Sequence, residues 1–178
     1  MFDQPYAWKR GASYKDDAPQ SFIRCFVYTF QTENGPYVVR AEELIPGVFA
    51  IKFYPKCFRR SKKKYEMLTS FRNAGRVLAT CLYIMMDLRT RFPGASFGFK
   101  GASLAEENEF STKRFRIYRR IFQTFFSPAE FLHLEKPAYS IYLIINQSEL
   151  RKDPEKLTAL QEHLLRTWEF EEKDDSEV

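Results

Sequence analysis

Six cations fall within the nine residues from Lys56 to Lys64: Lys56, Arg59, Arg60, Lys62, Lys63 and Lys64, with no acid before Glu66. Four more, Lys113, Arg116, Arg119 and Arg120, lie along one face of a helix expected from about 112 to 126. No Asp or Glu alternates with this second set at the spacing that makes ion pairs on a helix surface. Cations arranged in this way suit phosphate oxygens, which they meet through charge and counterion release rather than through base sequence. Either cluster taken singly is equally a solvated, solubilising surface. Two in one chain favour a shared polyanion-binding face.

Arg114 stands apart from its neighbours. With Phe115, Tyr118, Ile121, Phe122 and Phe125 placed on the buried side of the helix, Arg114 projects from among Tyr118, Ile121 and Phe125. A guanidinium there must be paired, escape to water near the helix end, or line a pocket. Its planar fork suits a phosphate, to which it can make two parallel hydrogen bonds. Arg76 belongs to a narrow polar stripe, Thr69, Asn73, Arg76, Thr80, Tyr83 and Asp87, on an otherwise apolar helix. The stripe is either that helix's outward edge or the floor of a groove with Arg76 and Asn73 as donors. In Phe97-Gly98-Phe99-Lys100-Gly101 two Phe share a strand face, where aromatic rings can stack unpaired bases; the competing role is core. The expected anion-binding set is therefore Arg59, Arg60, Lys62, Lys63, Lys64, Arg76, Arg114, Arg116, Arg119 and Arg120, with Phe97, Phe99 and Tyr118 for stacking.

Catalysis finds little support. His133 and His163 are the two histidines, one in an expected strand and one in the last helix, and neither has a nucleophile or carboxylate arranged beside it. Glu106, Glu107 and Glu109 near Lys100 have the chemistry to hold Mg²⁺, but they fall in an expected loop, where solvated acids sit. Cys25, Cys57 and Cys81 are odd in number and widely spaced, without a Cys-x-x-Cys pair, so neither a disulfide framework nor a zinc site is expected. No metal or cofactor is expected.

Charge is distributed unevenly. Residues 52–120 carry 17 Lys and Arg against 5 Asp and Glu, while the last ten residues hold six acids and one Lys. The formal net charge of +5 over 178 residues hides that basic middle. No charged leader with an apolar run opens the chain, and the longest apolar stretch, Val77 to Met86, is about half of a membrane span. A soluble, cytoplasmic protein is expected.

The elements that must position these residues follow from periodicity. Residues 1–20 are polar and interrupted by Pro5, Gly11 and Pro19, and read as an arm. Three antiparallel strands are expected from Ser21 through Phe30, from Tyr37 to Arg40 and from Val48 to Tyr54, with turns at Asn34-Gly35 and Pro46-Gly47. A long helix is expected from about Lys63 to Phe92, its apolar face carrying Leu68, Phe71, Gly75, Leu78, Leu82 and Met85. Next come a strand from Ala95 to Lys100, the helix bearing Arg114, and a hairpin of Phe131–Glu135 with Tyr139–Asn146. A final helix is expected with Asp153 as its cap, Pro154 at its first position and the stripe Leu157, Leu160, Leu164 and Trp168. The order βββ-α-β-α-ββ-α is α+β, with helices on an antiparallel or mixed sheet: one domain over 21–168, then an acidic tail over 169–178 expected to be disordered.

Phe97-Gly98-Phe99-Lys100-Gly101 and Thr112-Lys113-Arg114-Phe115-Arg116-Ile117-Tyr118 resemble a pattern in small uncharacterised bacterial proteins of Bacteroidetes type. There a strand ending in Phe-x-Gly leads to a helix opening with Arg-x-Arg-x-Tyr. The resemblance spans about residues 95–120, implies a compact bacterial α+β domain, and singles out Arg114, Arg116 and Tyr118. The function expected from the residues is non-catalytic binding of DNA or RNA through the basic face, directed by shape or by single-strandedness. The alternative is a small interaction module, an inhibitor or regulator, that sets the same basic and aromatic face on an acidic protein. The acidic tail is placed to fold back over that face and weaken non-specific binding.

Overall fold

A computed structural model describes residues 4–15, 21–66, 73–100 and 112–174. Alternating apolar residues on both faces build the meander of β3 (Arg24–Thr32), β4 (Gly35–Ile45) and β5 (Val48–Pro55). The first hairpin closes at Asn34-Gly35, where Gly35 takes φ +113° and Thr32 Oγ1 donates to its carbonyl at 2.8 Å. The second turns at Pro46-Gly47, with Gly47 at φ +76° and its N–H donated to Glu43. Two short strands precede the meander. β1 (Trp8–Arg10) and β2 (Tyr14–Lys15) both pair antiparallel with β3, one after the other along its edge.

Leaving β5, the chain forms α1 (Ala74–Arg91) and returns as β6 (Ser96–Lys100), parallel to β5. A parallel pair requires such a crossover, and a helix is its usual form. After α2 (Lys113–Phe125) come β7 (Phe131–Lys136), a 3₁₀ turn at Pro137–Tyr139, and β8 (Ile141–Asn146). β8 inserts between β6 and β7, giving the sheet order β1-β3-β4-β5-β6-β8-β7. α3 (Gln147–Lys152) and α4 (Lys156–Asp174) end the chain. The class is α+β, on a mixed sheet.

The period-two alternation divides the core in two. On one face Phe26, Tyr28, Val39, Phe49, Ile51, Phe97, Phe99, Tyr142 and Ile144 meet Val77, Ile84, Met85 and Leu88 of α1 and Phe115, Phe122 and Phe126 of α2. On the other, Val48, Leu143 and Ile145 meet Leu157, Leu160 and Leu164 of α4. Aromatic rings in edge and stacked contact fill the larger core; Phe99 alone meets Tyr118, Phe122 and Tyr142.

Several expectations are corrected. Tyr6 to Lys15 is not a loose arm: the Tyr6 ring stacks on Phe30, and its backbone N–H donates to Thr80 Oγ1 at 2.9 Å. Residues 63–66 form turns rather than the first turn of α1. The carbonyls of Tyr65 and Glu66, which a helix would pair with amides four residues on, instead accept from the Arg114 guanidinium. Phe126 takes the buried place assigned to Phe125, because the backbone turns extended at Phe126 (φ −116°, ψ 105°) and swings its ring onto Phe97 and Phe131. α3 was not anticipated. α4 continues through Asp174, past the expected start of the tail, consistent with the helix propensity of Glu and Lys; residues 175–178 lie outside the described set.

Candidate functional site

β5 and β6 pair only over Val48–Ala50 with Ser96–Gly98. Beyond that point β5 continues against β4, while Phe99 and Lys100 pair with Tyr142 and Ile141 of β8. The two parallel strands thus part at their carboxyl ends, the place in an open sheet where ligands tend to bind. Tyr118 fills the inner side of the gap, edge-on to both Phe53 and Phe99. Burial pushes its phenol up, with the Arg114 charge acting in the opposite direction.

The N-terminus of α2 closes one side of the gap. Thr112 caps it, its hydroxyl accepting from the Phe115 N–H at 3.2 Å, while the Thr112 N–H donates to Ser140 Oγ at 3.0 Å. Arg114 then reaches to the basic loop, donating from Nη1 to the Tyr65 carbonyl at 2.7 Å and from Nη2 to the Glu66 carbonyl at 2.9 Å. The loop itself is a chain of tight turns: Arg59 N–H to the Lys56 carbonyl, Ser61 to Phe58, Lys64 to Ser61 and Glu66 to Lys63. Lys56, Arg59, Arg60, Lys62 and Lys63 all point to solvent. Arg116 and Arg120 of α2 are exposed as well. Arg114 thus ties the first turn of α2 to the end of the basic loop.

Lys64 behaves differently from its neighbours. Its ammonium lies 5.2 Å from the centres of both the Tyr54 and the Tyr65 rings. Burial, then the Arg40 charge, holds its pKa below the ordinary lysine value. Beneath it, Glu42 accepts from Arg40 at 2.8 Å and from Lys52 at 2.9 Å. Lys52 is also 5.6 Å from the Tyr65 ring centre, and Arg40 lies 5.7 Å from each of the Tyr14 and Phe22 rings. Sequence reasoning missed this cluster. Arg40, Glu42 and Lys52 share one face of two strands in register, Arg40 opposite Lys52, but only the pairing of β4 with β5 makes that visible.

Other expected site residues serve the fold. Phe97 is fully buried and Phe99 is 8% exposed, so neither ring is presented to a base. The sheet turns both inward, against α2. Arg76 is taken up by the N-terminal segment. Its guanidinium sits 3.9 Å from the Tyr6 ring centre, donates to the Gln4 carbonyl at 3.0 Å and pairs with Glu33 at 3.2 Å. Thr80, expected on the same open stripe, is covered. Arg119 pairs with Glu135 of β7 at 2.9 Å. Glu106, Glu107 and Glu109 lie outside the described residues, as does Thr69.

Neither of two cavities is lined by the expected cations. A narrow apolar void of about 30 Å³ between α1, α2 and the sheet is lined by Ile51, Cys81, Met85, Phe99 and Tyr118, room for about one water. A cleft of about 410 Å³ is lined by Gln123, Pro128, Phe131, Leu132, His133 and Gln147. Both nitrogens of His133 are occupied there, Nε2 at 2.9 Å from the Phe126 carbonyl and Nδ1 at 2.8 Å from the Tyr142 hydroxyl. A carbonyl only accepts, so Nε2 donates to Phe126. Among the described residues, no helix is long and apolar enough to cross a membrane. In comparison with known proteins, no family model matches the chain, and neither a curated protein nor a solved structure is similar to it.

Proposed function

We propose that this protein binds nucleic acid without catalysis, through phosphates held by the exposed cations of the 56–64 loop together with Arg116 and Arg120 of α2. The carrying observation is the double hydrogen bond from Arg114 to Tyr65 and Glu66, which holds the start of α2 against the end of the loop. Lys56, Arg59, Arg60, Lys62 and Lys63 are exposed in a loop braced by its own turns, so binding orders little additional backbone. With Phe97 and Phe99 in the core, base stacking drops out of the proposal, and affinity comes from charge. Discrimination then rests on strand shape and flexibility rather than on base identity. Cys25, Cys57 and Cys81 are all free thiols, which fits a reducing, cytoplasmic setting.

Fluorescence anisotropy with labelled single-stranded and duplex DNA and RNA, titrated with salt, tests the reading. Wild type should bind with a steep salt slope, and Arg59/Arg60/Arg120→Ala should lose about 0.7 of slope per cation on single strands. An absence of binding at low salt would retire it. A second reading, docking on an acidic protein, draws on Ile117, 51% exposed between Arg116 and the Arg120 turn, and on exposed Phe58 in the loop. It predicts a loss on Ile117→Ser that nucleic-acid binding would not show.

A further inference from the structure

We propose that Lys64 and Lys52, backed by Arg40, form a discrete site for one phosphoryl dianion on the outer side of the gap where β5 and β6 part. The site is separate from the exposed loop cations and does not require strand binding.

Charge balance is the first argument. Three cations converge on one carboxylate. The two oxygens of Glu42 are occupied, Oε1 by Arg40 and Oε2 by Lys52. No carboxylate among the described residues lies within ion-pair distance of the Lys64 ammonium, which is held over Tyr54 and Tyr65. Two positive charges are left in excess, matching a phosphoryl dianion; a carboxylate would neutralise only one.

Burial makes that excess costly. Glu42 and Tyr54 are buried, and like charges in a half-buried site repel strongly. The Lys64 pKa is lowered by burial first, then by Arg40, with Lys52 and Arg59 adding to the depression and Glu42 opposing it. An anion beside Lys64 relieves the repulsion.

Access is the third argument. The Lys52 side chain is 35% exposed, and its ammonium and that of Lys64 lie within 6 Å of the same Tyr65 ring. Both ammonium groups are partly open to solvent. Arg40, flanked by Tyr14 and Phe22, contributes field from behind rather than a direct contact. The burial of the Tyr65 ring keeps its hydroxyl protonated, as burial and Glu42 outweigh the lowering effect of Arg40.

The phosphoryl group has two possible carriers: the phosphorylated end of a strand, or a free small molecule. The test uses the full chain at constant ionic strength. Inorganic phosphate and chloride are titrated by calorimetry against wild type, Lys64→Met, Lys64→Arg and Arg59/Arg60→Ala. Phosphate should bind saturably and chloride should not. Lys64→Met should weaken phosphate by about tenfold, the value of one charged contact, and Lys64→Arg should restore it. Arg59/Arg60→Ala should leave phosphate binding intact while weakening strands, which keeps the failure of one proposal apart from the failure of the other. NMR of the lysine side-chain nitrogens should show the Lys64 pKa rising on phosphate addition, a readout that a merely structural Lys64 would not give. A preference for a 5′-phosphorylated over a 5′-hydroxyl oligonucleotide, lost in Lys64→Met, assigns the carrier to strand ends; equal affinity with phosphate still binding assigns it to a small molecule. No saturable phosphate binding, or binding unchanged in Lys64→Met, overturns the proposal.

Discussion

Arg119 Nε lies 2.9 Å from Glu135 Oε1, which ties the middle of α2 to the edge strand β7. The neighbouring Arg120 is exposed and turned away from that pair. Adjacent arginines on one helix thus have separable tasks. Arg120→Ala should reduce the salt slope for single strands by about 0.7. Arg119→Ala should leave the slope nearly unchanged and cost at most about 1 kcal/mol of stability, since the pair is half exposed and screened. Anisotropy against salt, run beside urea unfolding, separates the two. Equal slope losses would show that Arg119 leaves Glu135 to meet the strand.

Arg114→Lys keeps the charge but removes the fork that spans two carbonyls. A loss of about 1–2 kcal/mol is expected from the weakened charged hydrogen bonds. The larger consequence should be local: the 56–66 loop loses its anchor and becomes cleavable by trypsin under native conditions. Limited proteolysis followed by mass mapping checks this, and an uncut loop would place its stability elsewhere.

The buried faces of β6 answer to substitution in opposite ways. Phe97→Ala opens a cavity beneath α1 and α2 and should cost about 3–5 kcal/mol. Gly98→Ala points into the other core, where the added methyl would lie 2.6 Å from Leu143 Cδ2. That is overpacking, expected to cost about 1–3 kcal/mol, with repacking of the Leu143 end limiting the loss. In neither variant should the folded fraction change its affinity for strands. A selective affinity loss in Phe97→Ala would restore the ring to a binding role.

Acid weakens the attachment of α4. His163 Nε2 lies 3.0 Å from the Ser21 carbonyl. Burial holds its pKa below the ordinary 6.5, with the hydrogen bond to Ser21 acting the other way and Arg166 adding to the depression. The unfolded chain therefore takes up a proton at a higher pH than the folded one. The stability contributed by the neutral ring is intact above about pH 6.5 and falls as the pH drops from there through the folded value. His163→Gln should flatten that part of the denaturation profile. Glu33 and Glu149, whose pKa values are lowered by Tyr6 and Lys152, act in a more acidic window and should be unaffected by the change.

Much of the fold is legible from local chemistry. Asn34-Gly35, Pro46-Gly47 and Thr112 mark two turns and a cap by residue type, and the structure uses all three. The strand faces follow from alternation. What could not be read was long-range pairing. Trp8–Arg10 and Tyr14–Lys15 are too short and polar to announce strands, and they exist because the edge of β3 supplies partners. Arg76 looked available because its partners, Gln4, Tyr6 and Glu33, lie on segments distant in sequence. Lys56, Arg59, Arg60, Lys62, Lys63, Arg116 and Arg120 are exposed, as charge without nearby acids favours, whereas Lys64 is half-buried. Arg40 and Lys52, each a lone cation in an apolar strand, gave no signal until β4 and β5 were set side by side.

The insertion of β8 between β6 and β7 bears on synthesis. A ribosome delivers the meander β3–β4–β5 complete, with local pairings that can form as they emerge. β6 emerges with one long edge unmatched, and its antiparallel partner, residues 141–146, follows some forty residues later. β7 waits as well, for its strand partner is β8. Throughout that interval Phe99 lacks its cover from Tyr142, and one edge of β6 stays open to neighbouring chains. The late arrival of a single six-residue strand therefore completes the sheet and closes the period in which the nascent protein is most prone to aggregate.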